Sequence, residues 1–137
     1  MKNSIKILIA AALTIVILTA CSLNSQVINE PAVMQVKSFY HEGIDNVNRL
    51  ELLSADGEQR SSKNIETIEN WLEQVGELSV TLDLNPQEHN GHLFVVTLFE
   101  NTDIQLRLSP TSIDGTAIIA NQKLVNYIHQ LWEKFEQ

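Results

Sequence analysis

From Val47 onward the spacing of apolar positions changes several times, and each change marks an element. Leu50 and Leu52 alternate with Arg49 and Glu51 and run into Asp56-Gly57, a dipeptide favoured in two-residue hairpin turns that need positive φ. This predicts a first β-hairpin whose return arm, residues 58–62, is polar and belongs at a sheet edge. Ile65, Ile68, Trp71, Leu72 and Val75 recur at helical spacing, with Ser62 and Asn64 ahead as candidate N-caps and Gly76 behind, so a short amphipathic helix follows. Leu78, Val80, Leu82 and Leu84 then alternate with Ser79, Thr81 and Asp83, the period of a strand with one buried face, until Pro86 ends it. After a polar turn at 87–91, residues 92–100 are apolar on both faces, as in a central strand: Leu93, Val95 and Phe99 on one, Phe94, Val96 and Leu98 on the other. Asn101-Thr102-Asp103 predicts a tight connection. Ile104, Leu106 and Leu108 alternate with Gln105 and Arg107, Pro110 interrupts, and Asp114-Gly115 predicts a second hairpin turn into residues 116–120. Leu124, Ile128, Leu131 and Phe135 close the pattern as a second helix, capped by Asn121 and carrying Lys134 in its last turn.

Short loops between successive strands favour antiparallel neighbours, so the expected class is α+β: a twisted antiparallel sheet with two helices packed on one face. On that geometry Arg49, Glu51, Thr81, Asp83, Gln105 and Arg107 project from the other face. Such a mixed polar surface is either a solvated ladder of cross-strand ion pairs or a protein-docking surface. Residues 22–46 show no sustained periodicity; 22–30 reads as a tether, and 33–40 is long enough for a short strand.

The chain begins with Lys2 and Lys6, then an acid-free apolar run over residues 7–20, then Cys21. The lysines hold the start on the cytoplasmic side, and the run falls short of the about 20 apolar residues a membrane span needs, which is the layout of a cleaved signal peptide. Leu18-Thr19-Ala20-Cys21 resembles the lipobox of bacterial prolipoproteins: a bulky apolar residue, two small or neutral ones, then the Cys. The resemblance implies that the Cys21 sulfur receives a diacylglycerol, that the peptide is cut before Cys21, and that Cys21 becomes the lipid-bearing first residue of the mature chain. Two acyl chains such as palmitate give stable membrane attachment where one is marginal. The expected organisation is a lipoprotein signal peptide at 1–20, a lipid anchor, tether and lead-in at 21–46, and a single α+β domain at 47–137. In its order of elements the last part is similar to the small lipoproteins of Gram-positive bacteria.

Composition narrows the function. The 137 residues, 44% hydrophobic and 19% charged, fit one compact domain. The single Cys excludes an internal disulfide framework and a multi-thiolate zinc site. With Lys2 and Lys6 set aside, 7 of the 9 basic residues remain against 17 acidic ones, so no nucleic acid is expected as a partner.

Few constellations carry chemistry. Glu88, His89 and His92 lie together in a polar turn, two imidazoles three apart beside a carboxylate, and are the only metal candidates. A divalent ion generally wants three or more fixed protein ligands, and Asn90-Gly91 reads equally as a solvated hairpin tip. Glu66, Glu69 and Glu73, with Glu77 beyond, recur along one face of the first helix, a stripe that recruits a basic partner or Ca²⁺ or is simply solvated. Trp71 and Trp132 sit on or beside the helical core stripes. No nucleophile elbow, phosphate-binding glycine loop, dinucleotide fingerprint or zinc-protease helix is present, and Asp83-Leu84-Asn85 departs from a calcium loop at Pro86. The expectation is therefore a lipoprotein held by Cys21 on the extracytoplasmic face of the cell membrane, not an enzyme and without a cofactor, serving as an accessory module that engages another envelope protein. The alternative is a lipoprotein that binds a small ligand or a metal.

Overall fold

The structure, a computed structural model, describes residues 30–87 and 94–135. Cys21, the expected lipid-attachment residue, and Glu88, His89 and His92, the candidate metal ligands, lie outside the described residues. The compact unit runs over Pro31–Gln137, so it takes in the lead-in as well as the chain from Val47 onward.

The fold is α+β. Eight strands are described: β1 (Val33–Gln35), β2 (Arg49–Ser54), β3 (Gln59–Ser62), β4 (Ser79–Thr81), β5 (Phe94–Glu100), β6 (Asp103–Ser109), β7 (Ser112–Ile113) and β8 (Thr116–Ala117). Two α-helices accompany them, α1 (Ile65–Gly76) and α2 (Gln122–Lys134). All pairing is antiparallel, in a six-stranded sheet of order β3-β2-β5-β6-β7-β8 and a separate β1-β4 pair. A Leu82–Ile118 bridge, with amide bonds from Ile119 to Thr81 and from Asp83 to Ala117, continues the strand layer from β8 to β4.

Local chemistry explains the elements. The Asn64 side chain accepts from the Thr67 amide at 3.0 Å and starts α1, while the Asn121 side chain accepts from the Lys123 and Leu124 amides and starts α2. The hairpin between β7 and β8 turns on Asp114 and Gly115 with φ of 49° and 82°, the left-handed pair a two-residue turn demands. Polar β3 lies at the sheet edge, as its sequence predicts.

One core joins the layers. Leu50, Leu52, Val96, Leu98, Leu106 and Leu108 face inward from the sheet and meet Ile68, Trp71, Leu72 and Val75 of α1 and Leu124, Ile128 and Leu131 of α2. Both helices thus cover one face, and the Trp71 indole donates to the Tyr127 carbonyl at 3.2 Å, tying α1 to α2.

Three expectations need correction. The strand expected over residues 78–84 is the three-residue β4, which pairs with β1, and Leu84 is exposed because the chain turns away after the bridge at Leu82. Thr81 and Asp83 therefore do not stand among the strands of the larger sheet. Gln105 leaves the open face because the β5-β6 register slips between Leu98 and Phe99; Phe99 pairs with Ile104, and Gln105 turns to Glu100 and to Gly43. As expected of a central strand, β5 stands between β2 and β6, with the helices on one face and Val95 and Phe99 half-buried on the other.

Candidate functional site

The acidic stripe of α1 acquires a second wall from the lead-in. Residues 36–39 form a 3-10 turn whose buried Val36 amide donates to the Leu78 carbonyl at 2.9 Å, anchoring the segment beside the C-terminus of α1. Gly76 admits the close approach, since a Cβ there would lie 3.1 Å from the Tyr40 hydroxyl. That hydroxyl donates to the Leu72 carbonyl at 2.8 Å. A second 3-10 turn at Ile44–Asn46 then brings Ile44 and Asp45 opposite the helix.

Between these walls runs a groove of about 360 Å³. Ile44, Val47, Ile68 and Leu72 supply apolar lining, and Asp45, Glu69, Glu73, Glu77 and Lys37 surround it. Lys37 is engaged by Glu77 at 2.8 Å. Among the described residues the carboxylates of Asp45, Glu69 and Glu73 have no hydrogen-bonded or ion-paired partner, so the rim presents a net negative field over a hydrophobic floor. Burial, and then the Glu77 charge, raise the Tyr40 phenol above its ordinary range, which keeps it a neutral donor to α1.

Of the residues singled out by sequence, Glu69, Glu73 and Glu77 converge on this groove, while Glu66 lies one turn away and does not line it. Lys37, Tyr40, Ile44 and Asp45 also contribute, and the one sequence signal for them is the apolar residues Val36, Tyr40, Ile44 and Val47 recurring at spacings of three and four. Among the described residues no cluster of three or more His, Cys, Asp or Glu is arranged to hold a metal ion. His41 pairs instead with Asp114 at 2.7 Å, and His129 packs edge-on against Phe94 at 4.8 Å between ring centroids.

The chain matches no family of known proteins, no curated protein and no solved structure.

Proposed function

We propose that this chain is a lipoprotein anchored by Cys21 at the extracytoplasmic face of the cell membrane, where it acts as a non-enzymatic accessory module that holds a basic, amphipathic segment of another envelope protein. The observation that carries the docking half is the α1 groove, an apolar floor under three carboxylates that have no partner among the described residues. A side chain such as Leu or Phe seated on Ile44, Val47, Ile68 and Leu72 leaves water, and a flanking Lys or Arg meets Asp45, Glu69 or Glu73. The apolar contact supplies affinity, and the rim charges set orientation and encounter rate more than strength. Support for the anchor is the lipobox resemblance of residues 18–21 and the basic start before the apolar run.

The test is crosslinking in cells followed by affinity recovery of the full chain, run beside Cys21→Ser and the double reversal Glu69→Lys with Glu73→Lys. Wild type recovers one envelope protein through a basic segment. Cys21→Ser releases the chain from the membrane fraction and depletes the adduct. The double reversal leaves the chain on the membrane and reduces the adduct about tenfold or more, the scale of losing close charge pairs at an interface. A full yield of adduct from the double reversal contradicts the groove, and unchanged membrane binding of Cys21→Ser contradicts the anchor.

A further inference from the structure

The face of the larger sheet opposite the helices is not a simple charged ladder. Three cross-strand rows cross it: Leu53 with Val95; Glu51 with Thr97 and Arg107; and Arg49 with Phe99 and Ile104. An antiparallel sheet with one wet face ordinarily turns polar residues outward. Here Leu53 and Ile104 are 45% and 50% exposed, and Val95 and Phe99 are half-buried between them. The charges are unevenly satisfied. Arg49 stacks on Phe99 at 3.9 Å and pairs with Glu51, which also accepts from Gln59 at 3.1 Å. Exposed Arg107 has no side-chain partner among the described residues.

We propose that this face binds the same face of a second copy of the chain. The row Glu51–Thr97–Arg107 is self-complementary, with the acid on one flank of β5, the base on the other and Thr97 between them. A two-fold axis lying between the sheets and along β5 sets Glu51 of one copy against Arg107 of the other, twice, with Thr97 facing its own symmetry mate. The same rotation sets the Arg49–Phe99 stack of each copy toward Ile104 of the other, so no like charges meet. Such isologous pairing is the commonest symmetry of homo-oligomers, and aligned sheets pack about 10 Å apart with interdigitated side chains. The pairing gives Arg107 a carboxylate that Arg49 and Gln59 already hold in place, and it removes the apolar rows from water. It does not involve the α1 groove, which lies on the helix side of the sheet and stays open.

The test uses two full-length copies with different tags, co-expressed in one membrane, solubilised and recovered through one tag. Wild-type copies recover each other. Arg107→Glu paired with itself, and Glu51→Arg paired with itself, set like charges across the axis and each lower recovery about tenfold. Arg107→Glu paired with Glu51→Arg sets opposite charges at both contacts and restores recovery. Thr97→Lys is an independent arm that puts two cations on the axis and lowers recovery with no rescue by either reversal. Failure of wild-type copies to associate overturns the proposal. So does recovery of either self-paired reversal at the wild-type level, or a mixed pair that stays low while both variants resist protease as wild type does. A different protein recovered through this face in place of the second copy also overturns it.

Discussion

Tyr40 shows how one side chain links stability to the site. Its hydroxyl donates to the Leu72 carbonyl, and its ring fills the seam where Gly76 lacks a Cβ. Burial and the neighbouring Glu77 both disfavour the phenolate, so its proton is held more tightly in the folded chain than in the unfolded one. Once the pH passes the ordinary phenol value of 10.0, the unfolded chain releases that proton first and the folded chain keeps it. Stability is therefore fully present below that value and falls as the pH rises beyond it. Tyr40→Phe removes this dependence and costs about 1 kcal/mol at neutral pH through the lost hydrogen bond. Urea denaturation of both forms at pH 7 and pH 11 measures it; the variant closes the gap at high pH, and a parallel decline in both forms contradicts the assignment.

At the scale of elements, the sequence is most legible where period and end signals agree. The α1 stripe lies between the Asn64 cap and Gly76, β2 and β3 flank Asp56-Gly57, and α2 follows the Asn121 cap. It is least legible where the deciding contact is distant. Nothing in the alternation of residues 78–84 says that β4 pairs with residues 33–35 or that the chain departs after Leu82, and nothing local marks Gln105 as the extra residue of a bulge. Edge strand β3 illustrates the same point. Its polar residues predict exposure, yet Arg60 stacks on Trp132 at 3.7 Å and donates to the Trp132 carbonyl at 3.0 Å, so it closes the last turn of α2 while pairing with Glu58. A cation beside a helix C-terminus and over an indole combines two favourable contacts. Arg60→Ala is expected to destabilise by about 1–2 kcal/mol, whereas Arg60→Lys retains the charge and loses the planar stack, an intermediate cost. Amide exchange over residues 131–135 locates the effect; uniform loosening of the whole chain, without a focus on α2, contradicts it.

For the molecule as a whole, the two surfaces differ in character. The open sheet face carries Arg49, Glu51 and Arg107 among apolar residues, while the groove side gathers carboxylates that the overall charge of −8 foreshadows without locating. Half of the groove was readable, because Glu69 and Glu73 share a helical face by spacing alone. The other half depends on Tyr40 bonding to the Leu72 carbonyl and on Asp45 lining the groove opposite α1, residues of a segment far from α1 in sequence. We propose that this groove holds a basic segment of an envelope protein. The most direct measurement is a photo-crosslinking side chain placed at Glu73 of the full-length protein in living cells, with the adduct sequenced. One adduct is expected, through an apolar residue flanked by Lys or Arg, and it disappears when Asp45 and Glu69 are both changed to Lys. An absent adduct, or one that survives those reversals undiminished, contradicts it.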